Sequence, residues 1–330
     1  NVTLGKDVGK PDNREYNATL LFQPNDKFDA LLTYVRYKDE NDGVPLQNRS
    51  STNENNAVHP EPEIPCSQEI LVLLGFCGDD VTDIEKLSQD FYPDDIDFEW
   101  DSYTLNADYD VGIGVITGIV GYQETDERVP TDFDATSGNF FHAWREQDSE
   151  QTTAEIRFAS SEELSDRWNF VAGAFYVEDE YKLHQLTAVG VGGGPAVAHF
   201  QNQRADHERD GWAVFGEFHY DLTEKLMLIL GGRYMEEEKD YTGSIQFGGN
   251  DGATDPIPLQ GYEPPADDFF IYGQPIWVPV NSASRDEDWD EFTPRVGLDY
   301  RVNDDILTYV VYSEGFRSGG FNGRNQAPEN

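Results

Sequence analysis

The sequence predicts an all-β chain: an antiparallel transmembrane β-barrel segment of about ten strands with short periplasmic turns and long extracellular loops. Three observations carry that expectation. Apolar and polar residues alternate with period two over runs of about a dozen positions. The stretches between these runs are short and long by turns. Aromatic rings recur near the ends of the runs, where amphipathic side chains favour the interfacial layers of a bilayer.

The alternation is read directly from the residues. Tyr103, Leu105, Ala107, Tyr109 and Val111 fall on one face, with Thr104, Asn106, Asp108 and Asp110 on the other. Phe292, Pro294, Val296, Leu298 and Tyr300 alternate with Thr293, Arg295, Gly297, Asp299 and Arg301. Trp212, Val214, Gly216, Phe218 and Tyr220 alternate with Ala213, Phe215, Glu217 and His219. Tyr16, Ala18, Leu20 and Phe22 do so with Asn17, Thr19 and Gln23, Leu21 falling out of pattern. A helix would gather none of these sets on one side. The expected strands are 13–23, 28–39, 101–111, 114–125, 151–160, 167–181, 209–221, 225–240, 290–302 and 305–318.

Five connections are short: Pro24–Lys27, Gly112–Ile113, Ser161–Asp166, Leu222–Glu224 and Asn303–Asp304. Four are long, at 40–100, 126–150, 182–208 and 241–289, and they hold most of the Pro and half of the Asp and Glu. Short turns at one end and long loops at the other are the layout of an outer-membrane barrel. Rings at Tyr37, Trp100, Tyr103, Tyr122, Trp168, Tyr176, Trp212, Tyr220 and Tyr234 fit its interfacial girdles. A soluble sandwich or propeller also alternates, but no blade-length repeat is present, and soluble strands seldom run so long.

Composition narrows the function classes. The chain has 330 residues, with 64 acidic against 23 basic side chains and a formal net charge of −41. Such a chain repels DNA and RNA, so no nucleic-acid partner is expected. The longest apolar runs, Phe170–Val177 and Leu226–Leu230, fall far short of the ~20 residues of a membrane helix. Barrel strands need only about ten alternating residues. The two cysteines, Cys66 and Cys77, fit no zinc pattern. They are expected to close a local disulfide worth about 2–3 kcal/mol, in keeping with an extracytoplasmic compartment; two free thiols are the alternative. Ile70–Phe76, between them, is expected to pack that loop.

The count of connections bears on completeness. A whole barrel with both termini in the periplasm has one more long loop than short turn; here short turns outnumber long loops. An open sheet in lipid leaves two edges of unpaired backbone groups, at a cost on the order of tens of kcal/mol. The chain therefore reads as an internal piece of a larger barrel, with 1–330 as one partial barrel domain.

Several segments resemble TonB-dependent receptors, the transporters that take iron chelates and similar scarce nutrients through the outer membrane. The run Tyr309-Val-Val-Tyr-Ser-Glu-Gly-Phe-Arg-Ser-Gly-Gly-Phe-Asn322 looks like a strand of that family and the segment after it. Its motif residues here are Tyr312, Gly315, Phe316, Arg317, Gly319, Gly320 and Phe321, with the glycines expected to permit bending and close backbone approach. Phe292-Thr-Pro-Arg-Val-Gly-Leu-Asp-Tyr300 resembles the strand before it. Trp212–Phe218 with Tyr220–Leu226 and Gly231–Tyr234 resembles another hairpin, and Thr153–Ser160 with Trp168–Tyr176 a third. The likeness covers about residues 14–322 in register.

That resemblance implies a place in the outer membrane of a Gram-negative bacterium, in a barrel of twenty-two strands around a plug. It implies outer-membrane lipid as one partner and an iron chelate, most simply a ferric siderophore, as ligand. It also implies energy delivered by TonB–ExbB–ExbD through the plug. The plug and the closing C-terminal strand of the family are not matched in this sequence. Arg233, Arg295 and Arg317 are expected to face inward.

No catalytic residue, cofactor or metal ligand is expected. The histidines at 59, 142, 184, 199, 207 and 219 form no metal pair. Gly190–Gly194 lacks the lysine of a phosphate loop. Asp39–Gly43 and Asp94, Asp95 and Asp97 miss the spacing of a calcium loop. Ligand contact is expected instead from rings and bases in the long loops: Phe140, Phe141, His142, Trp144 and Arg145 in one cluster, Phe269, Phe270, Tyr272 and Trp277 in another. Rings suit flat apolar ligand parts and arginine suits anionic groups; interfacial anchoring is the competing role. The rival functions are a stand-alone outer-membrane protease or lipase, a passive porin and a soluble calcium-binding β protein. No Gly-x-Ser-x-Gly setting supports a lipase.

Overall fold

Each strand pairs with the next in sequence, so the chain folds as one antiparallel meander. A computed structural model of the chain describes residues 5, 7–41, 46, 87, 89, 96–133, 135, 141–189, 199–250, 275–277 and 281–322. The strands are β1 (Asn13–Asn25), β2 (Phe28–Asp39), β3 (Asp97–Asp110), β4 (Gly114–Asp132), β5 (Phe141–Ser160), β6 (Trp168–Val189), β7 (His199–Thr223), β8 (Leu226–Asn250), β9 (Pro275–Trp277), β10 (Asn281–Asn303) and β11 (Ile306–Ser313). The order across the sheet is β1-β2-β3-β4-β5-β6-β7-β8-β10-β11, with the short β9 paired to the far end of β8. The ten long strands are the ten expected. Among the described residues no helix occurs, and β1 and β11 are the two sheet edges.

The tight turns are closed by their own side chains. Lys27 N donates to Asn25 Oδ1 at 2.9 Å, Gly112 N to Asp110 Oδ1 at 2.7 Å and Asp305 N to Asn303 Oδ1 at 3.0 Å. Thr223 Oγ1 accepts from Lys225 N at 3.2 Å. Such i to i+2 bonds are how Asn, Asp and Thr fix a turn. Gly112 has φ of +87°, a conformation that favours glycine.

One face of the sheet is apolar and bounded by two rows of rings. The first row holds Tyr34, Tyr103, Tyr122, Tyr176, Trp212, Tyr234, Phe292 and Tyr312, all on the same face by register. Tyr34 stacks on Tyr103 at 4.8 Å, and Trp212 lies 5.7 Å from Tyr234. The second row, nearer the short turns, includes Phe22, Phe28, Tyr109, Phe158, Phe170, Trp168, Phe218 and Tyr220. Between the rows lie exposed aliphatics such as Leu20, Leu32, Leu105, Val120, Ile156, Val214, Leu230, Val296 and Leu298. Rows six to eight residues apart along a strand are separated by roughly 20–26 Å at about 3.3 Å per residue. That is close to the ~25 Å apolar band of an outer-membrane barrel. Tyr37 and Trp100, counted above with the girdle rings, pair with each other on the opposite, polar face.

The strands run well past the expected ends on the long-loop side. β4 and β5 extend into 126–150, β6 and β7 into 182–208, and β8 and β10 into 241–289. β3 begins at Asp97 rather than 101. The 25-residue β7 and β8 are each roughly 80 Å long at about 3.3 Å per residue, far more than a bilayer needs. Above the upper ring row polar and apolar residues occur on both faces, with Leu183 buried on one and Leu186 on the other, so the alternation ends while the backbone ladder continues. β11 differs the other way and stops at Ser313, five residues short of the expected end.

Just above the upper ring row the apolar face turns acidic. Asp101, Glu124, Glu150, Glu180, Glu208, Asp240 and Asp286 stand directly opposite one another on seven successive strands. Arg36 pairs with Asp101 at 3.1 Å and Lys182 with Glu180 at 2.5 Å. Like charges directly opposite one another destabilise a sheet. Glu208→Gln, between Glu180 and Asp240, is therefore expected to stabilise the fold by roughly 0.2–1 kcal/mol. Urea unfolding in lipid vesicles checks this, and the gain should shrink at molar salt. A loss of stability in low salt would refute the repulsion.

Candidate functional site: the polar wall above the upper ring row

The polar face carries its densest side-chain network on β6, β7, β8 and β10, above the level of the upper ring row. Lys239 Nζ lies 2.8 Å from Glu237 Oε1. Their side chains are only 13% and 9% exposed, so this pair is largely desolvated. The Lys239 ammonium also sits 5.4 Å from the Trp289 ring centre, a cation–π arrangement. On neighbouring strands Arg209 Nε approaches Asp179 Oδ1 at 2.7 Å.

The segment after β11 folds back onto this wall. Lys239 Nζ donates to Ser318 Oγ and to the Gly319 carbonyl, each at 2.7 Å, and Ser318 Oγ donates to Glu237 Oε1 at 2.5 Å. Gly319 lies so near Trp289 that a Cβ there would sit 2.9 Å from its Cζ2 atom, which accounts for glycine at that position. Phe321 stacks on Tyr241 at 5.4 Å and meets the edge of His207 at 6.4 Å. Residues 314–322 thus form a strap across the wall. Where β11 ends, the chain leaves the ladder, and its further contacts are hydrogen bonds of Ser318 and Gly319 with Lys239 and Glu237 and the stack of Phe321 on Tyr241.

Electrostatics support the strap. Burial pushes the Glu237 carboxyl up, but hydrogen bonds from Lys239 and Ser318 outweigh it and hold the group below its ordinary range. Burial lowers His207, keeping its ring toward the neutral form.

Nearer the short turns, Arg233 lies over the Phe175 and Phe215 rings at 5.6 and 6.0 Å. Arg295 Nε pairs with Glu217 Oε2 at 3.1 Å, and His219 Nε2 stands 2.6 Å from Glu217 Oε1. Both arginines face the polar side, as expected. Arg317 belongs to the strap rather than to a strand, and it is exposed.

The expected ligand cluster at 140–145 is split by the pleat. Residues 141–145 belong to β5 rather than to a loop. Phe141 and Arg145 are on the polar face, Phe141 against Phe133 at 5.1 Å and Arg145 paired with Glu127 at 2.9 Å. His142 and Trp144 point to the other face, where both are buried, and the Arg128 guanidinium lies 5.9 Å from the Trp144 ring. Trp277 has its backbone in β9, paired with Gly248. Phe140, Phe269, Phe270, Tyr272, Cys66 and Cys77 lie outside the described residues.

Sequence reading missed the wall network of Asp179, His207, Arg209, Glu237, Lys239, Tyr241 and Trp289. One signal was available. Lys239 is the single base in the acidic run Glu236–Asp240, and on a strand it shares a face with Glu237 and Tyr241.

A sequential antiparallel meander with an apolar band rimmed by rings on one face and a polar other face is the wall of a transmembrane β-barrel. The chain belongs to the TonB dependent receptor-like, beta-barrel family, whose model matches residues 3–329. That family is one of outer-membrane transport receptors of Gram-negative bacteria rather than of enzymes. Among solved structures the chain is similar to the ferric yersiniabactin uptake receptor FyuA from Yersinia pestis, with a TM-score of 0.56 and 15% identity, over 92% of this chain and 38% of that one. It is likewise similar to the siderophore receptor PiuA from Acinetobacter baumannii, with a TM-score of 0.53 and 14% identity, over 93% and 43% of the two chains. The chain thus spans less than half the length of either receptor. At these identities the likeness fixes the fold.

Proposed function

We propose that this chain forms part of the barrel of an outer-membrane receptor that imports a ferric siderophore or similar chelate, energised through TonB. The single observation that carries the reading is the family match along nearly the whole chain. The physical pattern agrees with it: an apolar, ring-bounded band suited to lipid and a tall polar wall suited to a water-filled lumen. By their own descriptions one of the similar solved proteins is a ferric yersiniabactin uptake receptor and the other a siderophore receptor. In this reading β1 and β11 pair with further strands of the same barrel, and TonB with ExbB–ExbD acts through a plug domain. Phe141 and Arg145, on the polar face, are better placed for ligand than His142 and Trp144, and the rings of the 269–277 cluster remain candidates. Chemistry at the wall is binding and release, without bond cleavage.

Deleting the gene in its native host and measuring radio-iron uptake from a panel of ferric chelates tests the proposal. Uptake of at least one chelate is expected to fall to the background of a TonB-deficient strain. Unchanged uptake of every chelate, together with no induction of the gene by iron limitation, would overturn it.

A further inference from the structure

Above Pro294 one edge of β10 is open. β10 pairs with β8 along Asn281–Tyr300, but with β11 only along Arg295–Asn303. One further bond continues that shorter ladder, from Glu314 N to the Pro294 carbonyl at 3.0 Å. Beyond it, residues 281–293 have no strand partner on the β11 side among the described residues. Bonded and unbonded pairs alternate in an antiparallel ladder, so the N–H groups of Phe292, Asp290 and Asp288 face this edge. An unpaired edge of this kind is a ready template for another extended segment. In this meander the neighbour of β10 on that side is β11, and the continuation of β11 is the strap itself.

We propose that residues 315–322 have two seats: the strap across the polar wall, and a strand zipped onto the open edge of β10 as the continuation of β11. Carrying the β10–β11 register onward sets Phe316 opposite Phe292, Arg317 opposite Glu291, Gly319 opposite Trp289 and Phe321 opposite Glu287. Charge suits that register. The β10 edge carries Asp286, Glu287, Asp288, Asp290 and Glu291, whereas 315–322 hold one base and no acid. Zipped, Arg317 meets a carboxylate, Phe316 joins the upper ring row beside Phe292, and no like charges stand opposite one another. Glycine placement points the same way. A Cβ at Gly315 would meet open space, so packing does not account for glycine where the chain leaves the ladder; a hinge does. The strap seat is held by Lys239 with Glu237, Ser318 and the Gly319 carbonyl, and by Phe321 on Tyr241. The zipped strand is the weaker seat, being a glycine-rich edge, so a strap freed from Lys239 stays open to trypsin. In the strap seat Phe321 closes one side of a cavity of about 400 Å3 against Tyr181, His207 and Tyr241, and zipping uncovers that part of the wall. The switch rests on the receptor reading in one respect: the edge stands above the membrane, in water, where backbone partners can be exchanged.

Two cysteine pairs, each placed in the complete receptor in lipid nanodiscs, distinguish the seats. Tyr241→Cys with Phe321→Cys reports the strap. Glu291→Cys with Arg317→Cys reports the strand, as a directly opposed, unbonded pair within disulfide reach. Linkage under mild oxidant is followed over time by mass spectrometry. Both linkages are expected to form, the 241–321 linkage faster. Adding Lys239→Ala is expected to slow 241–321 at least ten-fold and to speed 291–317 at least ten-fold. Ser318→Ala, a milder change, is expected to move both rates in the same directions by at least two-fold, and it keeps the test decisive where Lys239→Ala disturbs folding. No 291–317 linkage in any of these backgrounds, or a 291–317 rate that neither change raises, would overturn the proposal. Iron uptake lost on gene deletion without a 291–317 linkage would sink the switch alone; both linkages with unchanged uptake would sink the transport reading alone.

Discussion

Lys239→Ala is expected to destabilise the folded wall by about 3 kcal/mol, the lower end of the ~3–5 kcal/mol seen when one partner of a buried ion pair is removed. The variant removes the cation in contact with buried Glu237, leaving the charge of Arg209 farther off, and among the described residues Ser318 Oγ is then the one hydrogen-bond donor to its carboxylate. It also deletes the donor to the Gly319 carbonyl and the cation over Trp289. The strap should then lift, and cleavage by trypsin after the exposed Arg317 should speed up by one to two orders of magnitude. The double change Glu237→Gln with Lys239→Met removes both charges together and is expected to recover part of the lost stability. Acid should act in the same direction. Because the Glu237 pKa is lowered in the fold, its contribution is fully present above the ordinary glutamate value of about 4.3. That contribution is lost as pH falls through the lowered folded value. Hydrogen exchange across 314–322 should therefore show a strap that is closed at neutral pH and loosens only in strong acid. A strap equally protected in Lys239→Ala and in the parent would show that the ion pair does not hold it.

Leu105→Arg is expected to cost about 2–4 kcal/mol, the penalty for a charged side chain on the lipid face near mid-depth of a barrel. Leu105 is 41% exposed and lies between Tyr103 of the upper ring row and Tyr109 of the lower. Its chain neighbour Thr104 is on the polar face. The same substitution there, Thr104→Arg, is expected to change stability by less than about 1 kcal/mol, because the long side chain can stay hydrated. Paired measurement of both variants by urea unfolding in vesicles separates a lipid-facing site from a merely exposed one. Equal, small costs at both positions would mean that Leu105 faces water.

Within the apolar band the fold was legible because side-chain chemistry reports backbone period. Tyr103 to Val111 and Phe292 to Tyr300 each alternate cleanly, since one face meets apolar surroundings and the other water. Turns were legible for a different reason: Asn25, Asp110, Thr223 and Asn303 bond the backbone two residues on. The upper halves of β5 to β10 were not legible. Segments such as Glu178–Glu180 and Asp286–Asp290 are acidic on both faces, so no period marks them as strand although the ladder runs through.

The candidate site suffered most from this. Reading 126–150 as loop made Phe141, His142, Trp144 and Arg145 a single cluster, whereas the pleat divides them between two faces. The strap contacts were invisible for another reason. Ser318 meets Lys239 across 79 positions of sequence, and no local pattern encodes such a distance. Only the glycines at 315, 319 and 320 hinted at a close backbone approach; Gly319 against Trp289 provides it, whereas a Cβ at Gly315 would meet open space.

The most direct test of the account is a spin-label scan of β3 from 103 to 110 in the receptor reconstituted in lipid, one position at a time. Positions 103, 105, 107 and 109 should be accessible to oxygen dissolved in the bilayer. Positions 104, 106, 108 and 110 should respond to a water-soluble relaxation agent, giving a two-residue period across the whole stretch. Uniform access to the water-soluble agent at all eight positions would contradict a barrel wall in lipid and, with it, the transport function built on that wall.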